Sequence, residues 1–442
     1  MKEETVMFER DRSQQKKENG MVIGFDLGRY AVQISYYRPG MEGPETAEQV
    51  MGSEVFNIPM VLCKRAGINQ WFYGREALKH YEKEGGVLVD SLFQKAVDGE
   101  VINIEGEQIE GIALLALFIK RSLSILGGAG ARGIGSITDI MFTCENLAGN
   151  VVDIMTRVTA NLSLKNCNVY FQSYAESIYH YMIHQDEALW KNPVFLSHYD
   201  GQDIKHYIFR RNPRTTPEVV FVDETEKKNF PFPIIITEDS RPAAYSKIDE
   251  KFADYMSDVL GTDIYSSIYL LGDGFKDEWL DKSIKVLCRN RRLFVGNDLF
   301  SRGACYSLQD KYEASEVSKT HVYLGEDKLK SNIGLNVLRR GEESYLALLD
   351  AGINWYEAEA EFEMFLPEDH KINFVIIPLD GSGHINHEIE VLNFPERDPD
   401  TLRIRLEMKM SDVNKVKITI TDEGFGEIAP GTGAKWDYSI DL

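Results

Sequence analysis

Apolar residues along the chain fall into short runs broken by Gly, Asp and Pro. The stretch 21–37, MVIGFDLGRYAVQISYY, runs apolar to Asp26, turns at Leu27-Gly28 and resumes as an alternating strand. Residues 55–63 read as another strand, 71–84 as a strand end leading into a short helix, and 109–126 as an amphipathic helix. A buried strand at 136–144, a helix at 147–162, a strand at 168–172 and a helix at 173–185 follow. A second round begins with a strand pair at 193–211 around the turn Asp200-Gly201. It continues with a helix at 245–260, a strand running into a Gly turn at 267–275, a helix at 276–288 and a strand at 292–295. The helix at 297–308 opens with Asn297 and Asp298 as cap candidates. Region 20–310 therefore starts β-β and continues β-α-β-α, twice, although its halves lack the similarity of a sequence repeat. Residues 311–330 are polar and read as a linker. From 331 to 442 the period falls to two, in six alternating strands with turns such as Asp380-Gly381-Ser382-Gly383 between them. That pattern predicts a separate antiparallel sandwich or barrel.

Composition narrows the function classes. At 442 residues the chain holds two or three domains, and a formal charge of −21 opposes both non-specific nucleic-acid binding and docking on anionic membranes. Five scattered cysteines without a C-x-x-C fit a reducing compartment. No apolar run is long enough to span a bilayer. Residues 1–19 are charged and without an apolar core, so they read as a flexible tail and the protein as cytoplasmic. His180 and His184 have the i, i+4 spacing of metal ligands, but with no third ligand nearby in sequence they read as a structural helix-face pair.

The chemistry of 21–37 is the open question. A strand, an acidic tip, a Gly turn and a second strand can wrap nucleotide phosphates, with Asp26 orienting a metal-bound water. Arg29 and Tyr30, however, stand where small hydroxylated residues would sit easily against phosphate. Arg29 could pair bidentately with a phosphate, or fill the pocket and pair with Asp26.

The order of these features resembles the α/β actin-like (ribonuclease H-like) two-lobed ATPase fold of sugar kinases, actin and the DnaK-type heat-shock chaperones. IGFDLG (23–28) is similar to the first phosphate loop, SYAESIYHYMIH (173–184) to the helix linking the lobes, and PVFLSHYDGQDIKHYIF (193–209) to the second phosphate loop. YLLGDGF (269–275) is similar to the adenosine loop, and NDLFSRGACYSL (297–308) to the closing helix. The strands after residue 331 resemble the chaperones' peptide-binding β-sandwich. The resemblance implies a tail at 1–19, an ATPase-type domain at 20–312, a linker at 313–330 and a β-sandwich at 331–442. It implies ATP and Mg²⁺ as cofactors. Asp26 would be the metal-side carboxylate, with Gly28, Arg29, Gly201, Gly272 and Gly274 around the nucleotide.

The departures matter as much. Leu196 falls on the expected aspartate of the second loop, and His198 and Tyr199 on expected glycines. Using Asp200 and Gly201 instead recovers one carboxylate and one glycine, but in an ordinary hairpin turn. Ser173 stands where the linking helix should open with a catalytic glutamate, with Glu176 one turn on. The catalytic lysine falls near Leu92 or Lys95. Segment 212–246, where the chaperones carry a full subdomain, offers strands, prolines and little helix, and Asp273 adds negative charge beside the adenosine loop. No helical lid follows the sandwich. The expectation is a DnaK-like module that binds nucleotide weakly without hydrolysing it, and that binds protein or extended peptide through the sandwich. The alternatives are an ATP-dependent chaperone using Asp26 and Asp200, and an actin-like small-molecule kinase.

Overall fold

The computed structural model describes residues 20–442 apart from 50–54, 128–135, 148–149, 163, 165–166, 236, 297, 340–341 and 380–382. The expected tail, the cap candidate Asn297 and the turn residues Asp380, Gly381 and Ser382 lie outside the described residues. The chain divides into two compact units, Met1–Tyr323 and Leu324–Leu442.

In the first unit the alternating pattern produces β1 (Met21–Leu27), β2 (Ala31–Tyr37), β3 (Glu45–Thr46), β4 (Ile137–Cys144) and β5 (Asn168–Ser173). They form one sheet in the order β5-β4-β1-β2-β3. β1 pairs antiparallel with β2 and parallel with β4, and β4 pairs parallel with β5. A second sheet holds β6 (Val194–Tyr199), β7 (Asp203–Asn212), β8 (Glu218–Glu224), β9 (Ser267–Leu271), β10 (Arg292–Gly296) and β11 (His321–Tyr323), in the order β10-β9-β6-β7-β8-β11. A hairpin with two parallel strands beside its first member is thus built twice, despite the weak likeness of the two sequences. β1 and β6 are covered on both faces, so they read as near-continuous apolar runs.

The helices relevant to the cleft are α1 (Leu92–Val97), α2 (Tyr174–Ile183), α3 (Arg241–Leu260), α4 (Lys282–Leu287) and α5 (Leu299–Tyr312). Two glycines bring α5 into backbone contact with its neighbours. A methyl group at Gly24 of β1 would lie 1.9 Å from the Ser301 carbonyl oxygen, and one at Gly303 would lie 2.0 Å from the Ser177 carbonyl oxygen of α2. Only glycine permits that approach.

Several expectations change. The helix expected over 276–288 shrinks to α4, because Asp249 of α3 accepts from the backbone N–H groups of Lys282 at 2.6 Å and Ser283 at 3.0 Å and sets its start. The helix expected at 245 begins at Arg241, with a proline in its first turn. Asp298 does not cap α5; its carboxylate accepts from the Thr46 hydroxyl at 2.8 Å. The expected linker is partly first-unit structure: Glu316–Thr320 is helical, and β11 adds to the free edge of β8. Tyr323 holds it there, buried and stacked on Tyr179 at 5.4 Å.

In the second unit eight longer strands, rather than six, form two four-stranded antiparallel sheets. They are β12 (Ser331–Arg339), β13 (Glu342–Leu349), β14 (Glu359–Phe365), β15 (Lys371–Pro378), β16 (Ile385–Glu390), β17 (Arg403–Asp412), β18 (Lys415–Asp422) and β19 (Lys435–Asp441). The sheet orders are β13-β12-β15-β16 and β14-β17-β18-β19. Alternate residues are buried along β17 and β18, as a one-sided core requires. At the end of β18, Asp422 is buried and accepts from Arg397, from the Gly424 N–H at 3.1 Å and from both the N–H and the hydroxyl of Thr432 at 2.8 and 2.7 Å.

His180 and His184 are structural partners of α5. Asp310 lies 3.2 Å from His180 Nδ1 and 3.3 Å from His184 Nε2, and His184 Nδ1 meets the His180 carbonyl at 2.7 Å. Burial would raise the Asp310 acid, but its bonds to the two histidines outweigh that and hold it well below the usual carboxylate range. A depressed carboxylate contributes stability above the unfolded value of about 3.9 and loses it as pH falls through the folded value. Asp310→Asn is therefore expected to cost about 3 kcal/mol at pH 7, with the deficit shrinking below pH ~4. Urea unfolding of the first unit at several pH values measures this, and an unchanged midpoint at pH 7 would refute it.

Candidate functional site

The two sheets of the first unit face each other across a cleft of about 880 Å³. Asp26, Glu145, Tyr174, His198 and Gly272 line it, and each sits at or just beyond the carboxyl end of β1, β4, β5, β6 or β9. Carboxyl ends of strands in such sheets are where ligand clefts form.

Asp26 lies at the floor, 7% exposed. Its Oδ1 accepts from the Tyr174 hydroxyl at 2.6 Å. Burial pushes its pKa up to about 7, and the Tyr174 bond only partly opposes that. Tyr174 is held in turn by Phe300 of α5, ring on ring at 3.8 Å. His198 stands edge-on to both rings, at 5.8 and 5.3 Å, and its burial favours the neutral imidazole.

The basic residues of the cleft face carboxylates. Arg29 does not reach Asp26, correcting the expectation that it fills the pocket and pairs there. It crosses to the opposite sheet, 3.2 Å from Asp203 and 3.9 Å from Asp200, with its side chain 55% exposed. Deeper in, Glu145 binds Lys227 at 2.6 Å and Lys205 at 3.4 Å. Burial would raise the Glu145 pKa; the Lys227 hydrogen bond and both lysine charges lower it. Lys205 also reaches Glu224 at 2.5 Å. A polar chain from Gln33 through Asn57 to Asp273 joins the sheets again, and Lys276 pairs with Asp273 at 2.8 Å.

The expected loop residues have local tasks. Asp200 Oδ1 accepts from the N–H groups of Gln202 and Asp203 at 2.8 and 2.7 Å, closing its own turn. Gly201 supplies that turn's φ of +94°. A methyl group at Gly28 would lie 2.6 Å from the Ala31 carbonyl oxygen, inside its own turn. At Gly274 it would lie 2.2 Å from the Tyr199 ring, and at Gly272 2.3 Å from the Tyr199 carbonyl oxygen. The two glycines of the expected adenosine loop thus make room for the ring and the carbonyl of Tyr199. Leu196 is core. Ser173 caps α2, its hydroxyl accepting from the Glu176 N–H at 3.4 Å. Leu92 is buried and Lys95 lies 3.8 Å from Asp90, so α1 turns Phe93, Gln94 and Val97 to the cleft and no lysine. Among the described residues no group of three His, Cys, Asp or Glu side chains is placed to hold a metal ion. Sequence reasoning missed Tyr174, Phe300, Glu145, Lys205 and Lys227. Glu145 had a signal, its place just after a buried strand; the others had none.

Residues 43–326 match the C-terminal part of a family of unknown function, DUF5716. The chain belongs to this family. Residues 328–442 match a domain of unknown function, DUF8552, so the two matches meet beside the boundary of the two compact units. No curated protein matches the chain. Most of the cleft lining falls within the DUF5716 match, whereas Asp26, Arg29 and Gln33 precede it. Among the described residues no helix is long and apolar enough to cross a membrane.

An acid raised by burial costs stability when it ionises. Below pH ~4 folded and unfolded states are both protonated and the cost is absent; it grows as pH rises toward 7 and is complete above it. Asp26→Asn keeps an acceptor for Tyr174 and cannot ionise. It is expected to stabilise the first unit by up to about 4 kcal/mol at pH 8, with the gain vanishing toward pH 4. Paired urea titrations across that range measure it; a destabilised variant at pH 8 would contradict it.

Proposed function

We propose that this chain is a non-hydrolysing, DnaK-like interaction module, with an actin-like first unit and a sandwich-type second unit that holds protein or extended peptide. The repeated strand order of the first unit supports the actin-like reading. The observation that carries the functional reading is the prior pairing of the cleft's cations: Arg29 with Asp200 and Asp203, Lys205 and Lys227 with Glu145. A triphosphate needs donors and cations already in place. Here it would have to break these pairs and approach a buried acid. Mg²⁺ fits no better, since Asp26 is hydrogen-bonded to Tyr174 and Asp200 spends one oxygen on its own turn. In the second unit β13, β16, β14 and β19 are sheet edges to which an extended segment can add. Ile385 on β16 and the nearby Leu392 leave apolar surface exposed there.

One observation favours the ATP-dependent chaperone as the second reading: a cleft of about 880 Å³ with Asp26 at its floor has room for a nucleotide. Calorimetric titration of the full chain with ATP·Mg²⁺, paired with a phosphate-release assay, decides between them. The expected result is no saturation at millimolar ATP, no turnover, and fluorescence anisotropy of an unfolded peptide that ATP leaves unchanged. Micromolar binding with turnover abolished in Asp26→Asn would overturn the proposal.

A further inference from the structure

The cleft floor carries an acid whose charge has no counterpart. Asp26 is more than nine-tenths buried and lines the cavity. Its Oδ1 is taken by Tyr174, while among the described residues Oδ2 has no hydrogen bond and no basic side chain pairs with either oxygen. His198 lines the same cavity, packs edge-on to Tyr174, and has no hydrogen bond on either ring nitrogen among the described residues. Burial keeps its imidazole neutral, so one ring nitrogen is an acceptor.

We propose that the cleft is a site for a small organic cation, whose primary ammonium pairs with Asp26 Oδ2 and donates to His198. An ammonium has three N–H donors and no acceptor, which suits a carboxylate and a neutral imidazole together. An anion would meet the unpaired acid, and the cations described around the cleft are already matched by carboxylates. A bare divalent metal would need more oxygen ligands than Asp26 alone supplies. Tyr174 and Phe300, stacked ring on ring, also line the cavity and offer apolar surface to the ligand's carbon chain. The formal charge of −21 draws cations toward the molecule.

The groups facing Asp26 keep this site distinct from the rest of the cleft. Tyr174 on α2 is the titratable side chain in direct contact, and Gln33 and Thr143 are its neutral register partners on β2 and β4. His198 on β6 is next. Farther out, Arg29 is matched by Asp200 and Asp203, and Glu145 by Lys205 and Lys227. Asp273 has Lys276.

The inference rests on the reading of this cleft as closed to triphosphates. ATP turnover would overturn that reading, whereas an inert response to both ATP and amines overturns only the ammonium site. The test is calorimetry of the full chain with n-pentylamine, its neutral counterpart 1-pentanol, and MgCl₂, in buffers of different ionisation enthalpy. Pentylamine is expected to saturate below millimolar. It should release protons near pH 7, because burial raises the Asp26 acid and the carboxyl must ionise to bind. Pentanol is expected to bind at least about tenfold more weakly. Asp26→Asn should weaken the amine at least about tenfold and abolish proton release, while Glu278→Gln, an exposed residue outside the cleft lining, should change neither. The urea transition confirms that both variants fold. Three results would each overturn the site: no amine saturation at millimolar, binding undiminished in Asp26→Asn, or competitive displacement of the amine by equimolar Mg²⁺.

Discussion

The first unit depends on how close helix α5 can come to β1 and to α2. Gly24 and Gly303 remove the two methyl groups that would hold those backbones apart. The resulting approach places Phe300 flat against Tyr174, and Tyr174 against Asp26. At the far end of α5, Asp310 ties the same pair of helices through His180 and His184. The cleft floor is therefore a by-product of backbone packing. Widening the contact by one methyl would move the aromatic wall and release the tyrosine that partly compensates the buried acid.

That acid is poorly compensated. Burying an ionisable carboxyl with a single neutral donor runs against the usual requirement that buried charge be paired. Two other buried carboxylates meet that requirement. Asp249 receives backbone and hydroxyl donors at the start of α4, and Asp422 receives Arg397, Thr432 and Gly424. Both hold their pKa values below the usual range despite burial, whereas Asp26 stands near 7. The contrast with these two, together with its place against a cavity, marks Asp26 as a point where local rules yield to function.

Much of the architecture is legible in the chain. Strands such as 21–27, 137–144 and 267–271 are rich in apolar residues without strict alternation because both faces are covered. Those of the second unit alternate because one face is wet. What escapes is whatever depends on a distant partner. Residues 321–323 look like linker because only the free edge of β8 makes them a strand. Residues 435–441 look like an aromatic tail, yet Trp436, Tyr438 and Ile440 share one face of an edge strand on β18. Helix α4 starts where Asp249, more than thirty residues earlier, accepts its amides. At the site, the position of Asp26 follows from the strand and turn, but its character does not. Tyr174 is next to the expected catalytic position and is indistinguishable in sequence from a core tyrosine.

The glycines after β9 answer to local packing. Gly274 faces the Tyr199 ring and Gly272 the Tyr199 carbonyl oxygen, so a side chain at either position would strike residue 199. Arg29 likewise has a local partner set, its charge going to Asp203 and Asp200 across the mouth. An ion pair that exposed contributes little stability, on the order of 1 kcal/mol or less. It therefore does not lock the two sheets together. It sets the charge at the entrance while leaving the entrance free to open, and the deeper Glu145–Lys205–Lys227 group carries more of the tie between them.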